Sequence, residues 1–169
     1  MMNERKSRKE RLYQFIFPEL NRALFIRIAV TAAVCTVFFL LFKPCRISGV
    51  SMEPTYHDGS VTLSFRWRYL WDVPERGDVV TISYFGRKEL LKRVVGLPGD
   101  TVEFRNGVLF VNGIEQDEPY VKNPCSWSLK PVKVREGHYF VVGDNRDQRI
   151  EEHINGEVLR SRISGGVLF

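Results

Sequence analysis

The sequence predicts a mainly β protein in which a single N-terminal transmembrane helix precedes a compact antiparallel β domain. One apolar run of twenty residues lies near the N-terminus. After it, the chain alternates between short apolar strands and tight turns, with no βαβ pattern. The 169 residues therefore divide into a basic segment (1–22), a transmembrane helix (23–42) and a β domain (43–169).

The apolar run, ALFIRIAVTAAVCTVFFLLF from Ala23 to Phe42, contains one charge, Arg27, near its start. A helix of twenty residues is about 30 Å long, which is enough to cross the hydrocarbon core of a bilayer. A cleavable secretory signal is the alternative, because the uninterrupted apolar part, 28–42, is only 15 residues long. The segment FKPCRISG that follows is a poor cleavage site, which favours a permanent anchor.

The distribution of charge predicts the orientation of this anchor. Residues 1–27 carry seven Lys and Arg against three Glu, whereas residues 43–169 carry eighteen basic against seventeen acidic residues. Basic segments stay on the cytoplasmic side. We therefore expect a single-pass protein of the inner or plasma membrane, with a cytoplasmic N-terminus and the β domain on the outer, periplasmic or extracellular, face.

The composition of the body argues against several other classes of function. Its near-neutral charge offers no basic patch for a nucleic acid. No His or Cys spacing resembles a metal site, and no cofactor is implied. Cys35 lies within the span, whereas Cys45 and Cys125 lie in the exported body, where either a disulfide or two free thiols would be compatible with the sequence.

The β domain contains six predicted strands, which are rich in β-branched and aromatic residues: 60–65, 78–85, 89–96, 101–104, 108–111 and 138–143. Asn106-Gly107 and Asn112-Gly113 predict two-residue turns, because both residue types tolerate positive φ. The stretch from Gln116 to Pro131, with three prolines, predicts a surface loop.

The segment FRWRYLW (65–71) has two interpretations. Its four aromatic residues alternate with Arg66, Arg68 and Leu70, which is typical of a half-buried strand with its aromatic side chains in the core. Trp, Tyr and Arg also favour the headgroup layer of a membrane. The segment is therefore either part of the core or a lipid-facing patch.

Ser51, in the turn SGVSMEPTYHDG, is a candidate nucleophile that needs a neighbouring base. His57 is close in sequence, but such local placement is typical of turn chemistry. Lys92 is the stronger candidate, because in ELLKRVVG it shares one strand face with Leu90 and Val94, and burial lowers the pKa of an amine. The alternative is an edge strand on which Lys92 is solvated.

Three motifs, SGVSMEPT, KRVVGLPGD and HYFVVGDNRD, occur in this order behind the predicted anchor. The combination, over about residues 23–165, resembles the bacterial type I signal peptidase (leader peptidase) family. The resemblance implies a mostly β serine endopeptidase that uses a Ser-Lys dyad and an acyl-enzyme. It implies two partners, the lipid bilayer and exported preproteins with Ala-x-Ala-like cleavage sites, from which the signal peptide is removed.

The resemblance also assigns roles to individual residues. Ser51 matches the nucleophile and Lys92 the general base, the N–H of Ser51 would donate to the oxyanion, and Met52 matches a methionine that shapes the substrate pocket. Gly49 occupies a position where some members place a second, hydroxyl donor and others have glycine. The supporting residues implied around the site are Arg93, Gly143, Asp144, Asn145, Arg146 and Glu151.

One departure from the family pattern follows GDNRD. The family continues with Ser-x-Asp-Ser-Arg, whose first serine hydrogen-bonds the catalytic lysine, whereas this chain has Arg149, Ile150 and Glu151. Glu151 is a candidate replacement for the aspartate that pairs with Arg93, and Ser161 or Ser164 for the missing hydroxyl. The departure leaves two alternatives: a maturation peptidase with a narrow substrate set, such as a pilin or a secretion-system subunit, or a weakened peptide-binding membrane adaptor.

Overall fold

The structure, a computed structural model, describes Lys9 and residues 22–84, 89–122, 126–147 and 156–168. The chain divides into two compact units, Met1–Leu40 and Leu41–Phe169. Every strand formed by the described residues lies in the second unit.

The predicted apolar helix, α1, runs from Arg22 to Leu41. It begins one residue earlier than predicted, and it ends one residue earlier because Phe42 already pairs with Phe65 as the first residue of a strand. None of its residues is buried. Its twenty residues are long and apolar enough to cross a membrane.

The described residues of the second unit form eleven strands. Their bounds are β1 Phe42–Arg46, β2 Val61–Phe65, β3 Val79–Ser83, β4 Glu89–Gly96, β5 Thr101–Arg105, β6 Val108–Val111, β7 Ile114–Glu115, β8 Leu129–Lys133, β9 His138–Val142, β10 Glu157–Leu159 and β11 Ile163–Val167. A seven-stranded sheet has the order β1-β2-β11-β3-β4-β9-β10, and a four-stranded sheet has the order β7-β6-β5-β8. Every pairing is antiparallel, which confirms the predicted fold class.

Both predicted Asn-Gly turns are present. Asn106 and Asn112 have φ of 47° and 53°, and each is followed by a glycine that also has positive φ. The turns join β5 to β6 and β6 to β7, with the register that two-residue loops impose.

The six predicted strands are all found, and five others were missed. β1 contains a proline and two charges, and β11 contains Gly165 and Gly166, so neither sequence has the usual composition of a strand. At Gly165 an added Cβ would lie 2.5 Å from Ser64 Oγ, so glycine is needed there for two strands to approach closely. β8 begins at Leu129, inside the segment predicted as a loop.

The strand interpretation of 65–71 was wrong. β2 ends at Phe65, and a short 3-10 helix covers Arg68–Leu70. Tyr69 is buried in the core, whereas Trp67 is 41% and Trp71 81% exposed. Because the chain turns instead of continuing as a strand, the alternation of aromatic residues does not select a buried face.

The hydrophobic core of the second unit forms three clusters, and β4 contributes to each of them. Val95 belongs to the cluster between the small sheet and β9, Val94 to the cluster around Val80 and Tyr139, and Leu91 packs on the cluster that contains Met52. β4 therefore packs against core residues on both of its faces. This close packing restricts the positions that a side chain on β4 can adopt.

Candidate active site

Ser51 lies in a closed turn between β1 and β2. The backbone of Ile47 donates to Ser60 O at 2.9 Å and closes the turn, while Gly49 N donates to Asp58 Oδ1 at 2.8 Å. Gly49 has φ of 97°, which a residue with a side chain rarely adopts. Ser51 itself is partly exposed and lines a cavity of about 280 Å³.

Lys92 is buried on β4, with 5% of its surface exposed. Burial lowers the pKa of its amine from 10.5 to about 8, although the negative charge of Asp144 acts in the opposite direction. Among the described residues, Nζ forms no hydrogen bond or ion pair that would hold it in the charged form. The interpretation of Lys92 as a solvated edge residue is therefore wrong.

Gly143, which follows β9, lies between the main-chain carbonyl of Ser51 and the amine of Lys92. A Cβ added to Gly143 would overlap the carbonyl oxygen of Ser51 and would lie 3.2 Å from Lys92 Nζ. Only glycine therefore fits between the serine turn and the amine. Asn145 also joins this turn to the serine turn, because its backbone N–H donates to Ser51 O at 3.1 Å and its Nδ2 donates to Val50 O at 3.0 Å.

Asp144 connects this turn to β4 and to the serine turn. Its fully buried carboxylate accepts from Arg93 Nε at 2.8 Å and from Arg93 Nη2 at 2.6 Å. Thr55 Oγ1 donates to the same carboxylate at 2.5 Å. Arg93 and Asp144, both predicted as supporting residues, thus form a buried bidentate ion pair beside Lys92.

Arg146 makes a second buried ion pair, with a partner that sequence reasoning missed. Its guanidinium donates to both oxygens of Glu118, at 2.8 Å and 2.5 Å, and to Gly143 O at 2.9 Å. Tyr120 donates to Glu118 at 2.7 Å, and its ring lies 3.9 Å from the Arg93 guanidinium carbon. Glu118 and Tyr120 fall in the predicted surface loop, where their residue types alone give no signal of this role.

The cavity beside Ser51 lies between two strand edges. β1 is the last strand of its sheet and pairs only with β2, while β4 pairs with β9 only from Arg93 onward. In the described part of the chain, β1 and residues 89–92 of β4 therefore each leave one edge without a strand partner. The ion pair Lys43–Glu89, at 2.7 Å, joins the two edges across the cavity.

The remaining predicted residues have varied positions. Met52 is buried and lines the cavity. Ser164 Oγ donates to Thr81 O and contacts Thr81 Oγ1, both at 3.1 Å, so its hydroxyl serves Thr81 and not Lys92. Ser161 is exposed.

Some predictions fall wholly or partly outside the described residues. Arg149, Glu151 and Cys125 lie in the undescribed stretches 148–155 and 123–125. Cys45 carries a free thiol next to Glu89.

Comparison with known proteins gives one family. The family model described as signal peptidase, peptidase S26, matches residues 20–169. A signal peptidase I from Bacillus licheniformis is 34% identical, over 97% of this chain and 91% of that protein. A signal peptidase I from Bacillus amyloliquefaciens is 40% identical, over 86% of this chain and 84% of that protein.

A solved structure is also similar. A crystal structure of a signal peptidase I from Enterococcus faecalis V583 is 29% identical and covers 58% of this chain and 98% of that chain, with a TM-score of 0.49. The sequence matches alone are sufficient to assign the family, since they extend over nearly the whole chain at more than 30% identity. With one apolar helix suited to anchor it in a membrane, this chain belongs to the signal peptidases of the peptidase S26 family, serine endopeptidases that remove signal peptides from exported preproteins.

Proposed function

We propose that Ser51 and Lys92 are the nucleophile and the general base of this signal peptidase. The observation that carries the proposal is the burial of Lys92, whose Nζ makes no ion pair or hydrogen bond among the described residues and lies beside the glycine that packs against the Ser51 carbonyl group. A buried amine with a pKa of about 8 is neutral often enough near neutral pH to accept a proton. A solvated lysine would not be.

In the proposed reaction, neutral Lys92 takes the proton from Ser51 Oγ as the oxygen attacks the scissile carbonyl carbon. The N–H of Ser51, which donates no hydrogen bond within the described part of the chain, is free to donate to the oxyanion. The ammonium of Lys92 then gives its proton to the leaving amine, and the C–N bond breaks. Water activated by neutral Lys92 hydrolyses the resulting ester and regenerates Ser51.

We propose that the preprotein binds as an extra β-strand between β1 and β4. Both edges offer free main-chain groups beside the cavity, and an extended peptide can pair with both. In an extended peptide the first and third residues before the cut point to the same side. In this binding mode that side faces the cavity lined by Met52 and Leu91, and the family resemblance implies small residues at these two positions, as in Ala-x-Ala.

We propose that the body lies on the outer face of a cell membrane, with the N-terminus in the cytoplasm, because basic residues are concentrated before α1. The segment 65–71 is the proposed contact with lipid headgroups. Trp67 and Trp71 are exposed, with Arg66 and Arg68 beside them in sequence, and these residue types favour the headgroup layer. Tethering enzyme and substrate to one bilayer raises their effective concentration.

The catalytic proposal is tested by cleavage of a preprotein with an Ala-x-Ala site by the full chain in detergent. Ser51→Ala and Lys92→Ala should each remove activity and leave the far-UV circular dichroism spectrum unchanged, whereas His57→Ala should cleave at the wild-type rate. An inactive His57→Ala with an active Lys92→Ala would show that the dyad is misassigned. Cleavage restricted to one dedicated preprotein would indicate a narrow substrate set.

The lipid contact is tested separately, by replacing both tryptophans. Trp67→Ala with Trp71→Ala should lower activity towards a preprotein in liposomes but not towards a short soluble peptide, because only the membrane-bound substrate depends on the position of the body. Phe110→Ala, a change on the small sheet, is a control for loss of an aromatic side chain. Equal losses on both substrates would argue against a lipid-facing patch.

A further inference from the structure

We propose that Glu118 is a positioning residue for the reaction, acting through Arg146 on the turn that separates Ser51 from Lys92. The inference rests on the proposed function of these two residues and adds a group outside the family motifs quoted above. Glu118 lies in the connection between β7 and β8, in the segment that the sequence predicts to be a surface loop.

Glu118 and Arg146 form a buried ion pair. The Arg146 side chain is 0% exposed and that of Glu118 is 10% exposed, and the two form a bidentate contact. A buried guanidinium without its carboxylate is costly, because its charge is removed from water without compensation. Arg146 can therefore occupy its site only while Glu118 is in place.

Arg146 Nε donates to Gly143 O at 2.9 Å, within the same short turn. Gly143 in turn packs against the carbonyl group of Ser51 and lies next to Lys92 Nζ. The packing around Gly143 leaves no room for even a Cβ atom. A shift of this glycine by a few tenths of an ångström therefore changes its contacts with both the Ser51 carbonyl group and the Lys92 amine.

The remaining hydrogen bonds of the turn hold the residues that follow Gly143. Asp144 is held by Arg93 and Thr55, and Asn145 is held by the backbone of the serine turn. Within the described part of the chain, the carbonyl of Gly143 accepts its hydrogen bond from Arg146. Glu118 thus supports, through Arg146, the glycine that packs between the Ser51 carbonyl group and the Lys92 amine.

The position of Gly143 also determines how dry the amine is. Burial is the main cause of the lowered pKa of the amine, and the negative charge of Asp144, which pairs with Arg93, acts against it. If Gly143 withdraws, water reaches Nζ and stabilises the ammonium, so this pKa rises. Loss of the negative charge of Glu118 would by itself lower the pKa of Lys92. A rise in this pKa therefore indicates that the turn has moved, whereas a fall indicates only that a charge has been lost.

The experiment compares Glu118→Ala with Glu118→Asp in the full chain, with preprotein cleavage measured as a function of pH. For Glu118→Ala we expect kcat per folded enzyme to fall about 10- to 100-fold, as for a small misplacement of reacting groups, with KM within about twofold of wild type. We also expect the acidic limb of the pH profile to move to higher pH. Glu118→Asp keeps the charge and both acceptor oxygens, and should restore most of kcat.

Glu157→Ala is the matched control. Glu157 also makes two hydrogen bonds to an arginine, Arg135, but on β10, away from the serine turn, so its loss should lower the melting temperature without changing kcat or the pH limb. Wild-type kcat in folded Glu118→Ala, or a loss of kcat with the limb unmoved or moved to lower pH, would overturn the inference. Ser51→Ala and Lys92→Ala in the same assay test the underlying dyad, and activity in either would refute the proposed function whatever Glu118 does.

Discussion

The pH dependence of cleavage is the most direct consequence of a buried Lys92. With a pKa of about 8, roughly one amine in eleven is neutral at pH 7, whereas an ordinary lysine with a pKa of 10.5 would be neutral in about one molecule in three thousand. Burial therefore raises the neutral population about 300-fold. With the neutral amine as the proposed general base, activity should rise with pH, about tenfold per unit below pH 8, and level off above it.

The assay is kcat/KM for a preprotein or a peptide with an Ala-x-Ala site between about pH 5.5 and pH 9.5, since this ratio reports the groups of the free enzyme. His57→Ala is the control and should leave the curve unchanged. A limb near the ordinary pKa of histidine, at about 6.5, that disappears in His57→Ala would refute the assignment of Lys92 as the base. A flat profile across this range would refute it as well.

Three further predictions concern the same group of residues. Gly143→Ala should lower kcat about 100-fold or more in a folded protein, because the added methyl group displaces the Ser51 carbonyl, and wild-type turnover would contradict the close packing described above. Lys92→Met should raise the free energy of unfolding by about 3 kcal/mol at pH 7. Because the folded pKa lies below the unfolded one, this gain should be complete below about pH 8 and vanish as the pH rises through about 10.5, so a gain in urea unfolding that does not vary with pH would contradict it. Asp144→Asn should destabilise the protein by about 3–5 kcal/mol, measured in the same way, because it leaves the buried guanidinium of Arg93 without its carboxylate, and a change below 1 kcal/mol would contradict that pairing.

The sequence was sufficient for the fold class, and the Asn-Gly pairs predicted two hairpins because that signal is local. The alternation in ELLKRVVG left Lys92 either core-facing or solvated on an edge strand, and the resemblance to the signal peptidase family was what favoured the buried lysine. β1 and β11 were missed because their composition does not favour strands and their strand conformation depends on pairing with neighbouring strands. Phe42 pairs with Phe65, and Gly165 packs closely against Ser64.

The site could be predicted only in part, for a similar reason. Ser51 and Lys92 stand in motifs that are continuous in sequence, and so does the turn that begins at Gly143. Glu118 and Tyr120 stand in no such motif, and their role depends on a contact between segments 28 residues apart, from Glu118 to Arg146. Hydrogen bonds of this kind follow from tertiary packing, which single-sequence patterns do not contain.

In the proposed binding mode, the two strand edges that border the cavity carry a cost for the enzyme. Main-chain donors and acceptors on β1 and on residues 89–92 of β4, which have no strand partner on that edge among the described residues, can pair with any extended backbone, irrespective of its side chains. A released leader peptide that stays in the same bilayer would then compete with the next preprotein for these edges. Turnover would depend on how quickly spent leaders are cleared away as well as on the bond-breaking step.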